Sequence, residues 1–123
     1  MQLIAVAAGG ACGALMRFWV STAVYAWLGR AFPWGTLAVN VLGSLLMGFL
    51  SVYLIERANI SPEWRAAILI GFLGAFTTFS TFSLETFNLI DDGALWRATI
   101  NMAGSVLLCV LAAWAGVILG RSL

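Results

Sequence analysis

The chain has no histidine and no lysine, two cysteines and two prolines, and charged residues fill only 9% of its 123 positions. Each shortage excludes something. Without histidine, and with Cys12 and Cys109 lying in separate apolar runs, no zinc or haem ligand set exists and no disulfide framework is expected; both cysteines read as small core hydrophobes. With a net charge of +1 and no basic run, nucleic acid is not an expected partner. No carboxylate pair lies within an apolar run and no base accompanies the serines, so nucleophilic and metal-assisted catalysis lack parts, and the chain is not expected to be an enzyme. The opening Met-Gln-Leu-Ile carries no basic leader, and no cleaved signal is expected.

What is present is apolar. Hydrophobic residues make up 63% of the chain, which places it among integral membrane proteins, with lipid as its surroundings. Four apolar stretches, about 3–28, 36–55, 62–90 and 96–119, each reach the ~20 residues a helix needs to cross the hydrocarbon. The fold class is therefore an all-α membrane protein, one four-helix domain over residues 1–123. Gly29 to Gly35, with Pro33, reads as the first turn, and Thr36 as the cap of helix two. Ser61-Pro62 reads as the N-cap and first position of helix three, and Asp91-Asp92-Gly93 as the turn before helix four.

Polar and small residues within the spans fall in lines. On the first helix Gly9, Gly13, Arg17 and Ser21 recur every four positions and share a face. Arg17 either snorkels to the nearer interface or faces an aqueous vestibule. On the second, Asn40, Gly43, Ser44, Met47 and Gly48 form a small, polar face that meets protein, where Asn40 either glues helices or points its amide into a water-filled path. On the fourth, Arg97, Asn101, Ser105 and Cys109 repeat the interval.

One stretch stands apart: Gly71 to Glu85, where glycines, phenyl rings and hydroxyls interrupt the third span. Thr77, Thr78, Ser80 and Thr81 offer the backbone competing hydrogen bonds, so a break is expected there, and irregular backbone at membrane depth is tolerated only against protein or water. Phe79 and Phe82, three apart, share a helix face that Phe72 and Phe76 continue. Hydroxyl and amide donors can replace an anion's hydration shell, ring edges are electropositive, and freed carbonyls meeting at a two-fold axis suit a cation such as Na⁺. Glu85, the one acid within a span, is an interface charge, a proton carrier or a lining group.

If the termini share a side, Arg57, Arg65 and Arg121 face Arg30 and Arg97 across the membrane, three against two. So slight a bias lets a chain insert both ways up, and the small faces of helices one and two suit an antiparallel homodimer.

These residues resemble the Fluc or CrcB family of small microbial fluoride channels. The resemblance spans the chain: Gly9 to Arg17, Pro33-Trp34-Gly35-Thr36 with Asn40 and Gly43, Gly71 to Phe82 as the signature, and Gly104-Ser105. It implies a dual-topology antiparallel dimer with two pores, exporting fluoride passively from the cytoplasm across the cell inner membrane. Fluoride and a second copy of the chain are then the partners. The family's pore residues fall on Asn40, Phe79, Phe82 and Ser105, with Thr36 and Glu85 on its polar track. A structural Na⁺ at the dimer interface would be held by the main-chain oxygens of Gly74 and Thr77. Ala75 stands where the family commonly has glycine, and Asn101 at a variable position. The alternative is a small proton-coupled multidrug exporter, which shares the size but relies on an acid deep in the first helix that this chain lacks.

Overall fold

The computed structural model describes residues 1–123, all in helices and short turns. Helix α1 (Gln2–Leu28) ends at Gly29, whose φ of 84° only glycine adopts without strain and whose N–H donates to the Tyr25 carbonyl at 2.8 Å. Helix α2 (Trp34–Val52) follows directly on Pro33 and widens into a π-helical turn over Tyr53–Arg57. The next helix, α3, begins at Ser61, whose hydroxyl accepts the Trp64 N–H at 3.4 Å, with Pro62 at its first position. It runs from Pro62–Arg65 into π-helical geometry over Ala66–Leu73 and closes with Gly74–Phe76. Thr77 and Thr78 have extended dihedrals, and α4 (Phe79–Asp91) starts after them. Gly93, at φ 80°, turns the chain into α5 (Leu95–Ser122). Four stretches are long and apolar enough to cross a membrane: Gln2–Leu28, Trp34–Arg57, Pro62–Asp91 and Leu95–Ser122.

The every-fourth face of α1 lies along the whole third span. A Cβ at Gly9 would stand 2.1 Å from the Ala67 carbonyl oxygen, and one at Gly13 2.1 Å from that of Phe72, so the two backbones touch where side chains are absent. Higher up, Arg17 Nε donates to the Ala75 carbonyl at 2.9 Å and the Tyr25 hydroxyl reaches Glu85 at 2.7 Å. Helix α2 packs on α1 and α5, where Gly48 and Gly116 allow the same closeness to Ala113 and Leu45.

Glycines of the first two small faces thus pack inside one subunit, while Ser44 and Met47 on the second line a cleft. Thr36 does not cap α2, which starts two residues earlier; it lies 4% exposed within the first turn. Only 20 of the 123 residues are buried, so much apolar surface faces outward and cysteine burial fails too: Cys12 is exposed and Cys109 half-buried.

Candidate functional site

Thr77 and Thr78 define the site because their hydroxyls and amides leave the helical ladder. Thr78 Oγ1 accepts the Thr81 N–H at 3.2 Å and also donates to Thr81 Oγ1 at 3.0 Å, capping α4 from inside the membrane span. The Thr78 N–H donates to Asn40 Oδ1 at 2.8 Å, and Asn40 Nδ2 donates back to the Thr78 carbonyl at 3.0 Å. One side-chain amide thereby stands in for a missing stretch of backbone. In an unbroken helix the Thr78 and Thr81 N–H groups would serve the carbonyls of Gly74 and Thr77. Here both are directed elsewhere. The Leu73 carbonyl keeps Thr77 as partner, through N–H and Oγ1, and the Ala75 carbonyl takes Arg17.

Around this break lie two cavities that share Thr78. The larger, about 430 Å³, runs between α2, the break and α5 and is lined by Asn40, Ser44, Thr77, Phe79, Phe82, Ser105 and Cys109 among others. Four of the residues that the sequence nominates for a pore, Asn40, Phe79, Phe82 and Ser105, meet here. The Phe79 and Phe82 rings stand 5.4 Å apart at 42°, and Phe79 is 77% exposed, so one wall of the cleft is open. The smaller, about 230 Å³, is lined by Arg17, Ser21, Tyr25, Arg30, Thr36, Thr81 and Glu85 among others. Thr36 and Glu85 therefore sit beside Arg17, apart from the ring pair. Arg17 lines this cavity, and its Nε donates to the Ala75 carbonyl on α3.

Phe72 and Phe76 do not continue the ring row. They stack on each other at 6.1 Å, Phe76 is buried at 3% exposure, and Phe72 lines a separate apolar groove with Gly9, Cys12 and Trp64. The extended dihedrals of Thr77 and Thr78 rotate α4 relative to α3, which ends the helical register between the two pairs.

Sequence reasoning missed two groups. The first is Tyr25, one of two tyrosines in the chain, whose hydroxyl meets Glu85 and Thr36. Its signal was the spacing: 25 is the next term after 9, 13, 17 and 21. The second is the buried chain behind the cleft, in which Ser105 Oγ donates to Asn101 Oδ1 at 3.3 Å, Asn101 Nδ2 donates to Thr86 Oγ1 at 2.8 Å, and Thr86 donates to the Phe82 carbonyl at 2.8 Å. Thr86 had no distinguishing pattern in sequence.

The family pattern described as CrcB-like protein, Camphor Resistance (CrcB), matches residues 4–117. Similar proteins carry the name fluoride-specific ion channel FluC. That of Methylococcus capsulatus is 58% identical over 123 residues, covering all of this chain, and this chain spans only 54% of that relative. That of Magnetococcus marinus is 57% identical over 121 residues, 98% of each chain. That of Coxiella burnetii (strain Dugway 5J108-111) is 47% identical and aligns over the full length of both.

Proposed function

This chain belongs to the CrcB-like family, and from that premise we propose that it is a fluoride-selective ion channel of the cell inner membrane, passing fluoride passively out of the cytoplasm. The observation that carries this reading is the larger cleft, which gathers amide, hydroxyl and ring-edge groups beside unwound backbone within a membrane span. A small anion entering hydrocarbon must exchange water for fixed donors, and these groups are such donors without a compensating positive charge. Asn40 Nδ2 carries two protons and gives one to Thr78, so the other is free for an anion. Ser105 holds its proton on Asn101 at 3.3 Å, a long bond that an anion can take over. Phe79 and Phe82 line the same space, where a ring edge would offer an anion its electropositive rim.

The cleft has one open wall, and a second, inverted copy would close it. The working unit is then an antiparallel, dual-topology homodimer with two equivalent pores. The structural Na⁺ that the family resemblance implies fits the donor set present: the carbonyls of Gly74 and Thr77 have lost their helical donors, and Gly74 is exposed without a side chain. Bound between two copies, it would supply a fixed positive charge at the interface. No observation favours the proton-coupled exporter, since α1 carries no acid.

Purified protein in liposomes loaded with fluoride tests this directly. Passive efflux on shunting the membrane potential is the expected result, with chloride retained. Retained fluoride, or equal passage of chloride, would remove the channel reading.

A further inference from the structure

Tyr25 lies at the meeting point of four segments. Its ring is 8% exposed and sits against Gly35, where a Cβ would stand 2.4 Å from a ring carbon, and the Arg30 guanidinium covers it at 4.5 Å. Its hydroxyl is shared among three groups: Glu85 Oε2 at 2.7 Å, Thr36 Oγ1 at 3.3 Å and the Thr36 N–H at 3.4 Å. A phenol has one proton. The short contact to a carboxylate claims it, so the Tyr25 oxygen is an acceptor toward Thr36 and the Thr36 hydroxyl proton points at Tyr25. Every proton in the cluster therefore runs toward Glu85, and Thr36 has none left for an anion. Glu85 Oε1 is buried with no partner, so Tyr25 supplies the one hydrogen bond that fixes this carboxylate.

We propose that Tyr25 is a positioning residue for ion passage: its hydroxyl holds the Glu85 carboxylate away from Arg17 on the wall of the small cavity and keeps the Thr36 proton engaged. This rests on the fluoride-channel reading. Cutting the bond has two opposed effects. It releases the Thr36 proton as a donor, and it leaves a carboxylate with two unsatisfied oxygens free to turn toward Arg17 and Thr81 on the cavity wall. A carboxylate that reaches Arg17 pairs with it and takes that cation and its donors away from an anion in the cavity, which outweighs the one neutral hydroxyl gained, so the net result is slower passage.

Tyr25→Phe removes the hydroxyl and keeps the ring on Gly35 and under Arg30. Fluoride efflux from liposomes should fall roughly tenfold or more in this variant, as expected when an ion pair removes the cavity's cation from the path. In a Glu85→Gln background the same change should leave efflux within about twofold, because the charge it would release is absent. A Tyr25→Phe loss smaller than about tenfold would overturn the proposal, as would equal slowing in both backgrounds. The infrared carboxylate band assigned to Glu85, by its disappearance in Glu85→Gln, gives a readout independent of flux. It should shift in Tyr25→Phe, and a stationary band overturns the contact. Should no version pass fluoride, the channel reading fails while this band still decides whether Tyr25 governs Glu85.

Discussion

Asn40 joins a structural role to a place in the proposed ion path. Its amide bonds both the N–H and the carbonyl of Thr78, so replacing it by alanine leaves two polar backbone groups unpaired at membrane depth, at about 1–3 kcal/mol of stability for each group. Asn40→Asp is the sharper test. It keeps the acceptor for the Thr78 N–H, loses both amide protons and adds a charge, so efflux should fall by roughly two orders of magnitude or more while the protein still elutes as an intact species. Phe82→Ile keeps bulk and removes a ring edge; a slowing of roughly tenfold matches the ~0.5–1.5 kcal/mol that aromatic geometry contributes beyond buried area. Unchanged efflux in both would move the path away from this cleft. Residues of this kind were legible because their types are unusual where they stand: an amide, or hydroxyls alternating with phenyl rings, has little reason to lie in an apolar run. Tyr25 was not, because a tyrosine near a helix end has an ordinary place at the headgroup level, and its meaning depends on Glu85, 60 positions away.

At the scale of elements, the stripe on α1 is the feature that builds the site. It docks Gly9 on Ala67, Gly13 on Phe72, Arg17 on Ala75 and Tyr25 on Glu85, so a single continuous helix splints a span interrupted at Thr77 and Thr78. The two halves of the third span need such a splint, because no continuous ladder joins them. Gly13→Ala should therefore be costly: its Cβ would stand 2.1 Å from the Phe72 carbonyl oxygen and 3.0 Å from its Cα, and moving backbone costs about 1–3 kcal/mol. Gly10→Ala, three positions earlier, meets nothing nearer than the Gly71 oxygen at 3.9 Å and should be neutral or slightly stabilising. Thermal unfolding in detergent separates the two; equal midpoints would show that the splint carries no load. The sequence disclosed the stripe but not its partner. Spacing of four says that residues share a face, and small residues say that the face meets protein, yet neither says whether that protein is the same copy or another. The small faces of α1 and α2 read as suited to a second copy; within this copy the glycines of α1 meet the third span, which brings its own glycine, Gly71, to the contact.

For the whole molecule, the decisive quantities are the small buried fraction and the balance of charge between loops. One copy leaves large apolar side chains exposed on every helix, Phe18, Trp27, Leu42, Phe79 and Trp114 among them, and the ring wall of the cleft is among the surfaces left open. Lipid can cover most of this, but lipid tails offer no donors to complete a path for an anion. If an inverted copy completes it, orientation becomes a functional variable. The loops differ by one arginine, three against two, and each added cation in a short loop shifts the preference for the cytoplasmic side. Two arginines added beside Asp92 should therefore drive all copies one way up, and two added beside Asn59 should drive all copies the other way. Both positions are exposed turns, so the fold of each copy should be intact. Each biased variant expressed alone should insert into the membrane at normal levels yet pass no fluoride, because every copy lacks an inverted partner. Expressed together, the two should restore efflux to near the unsubstituted rate. Full activity from either variant alone would rule out an antiparallel requirement and leave the cleft to be closed in some other way.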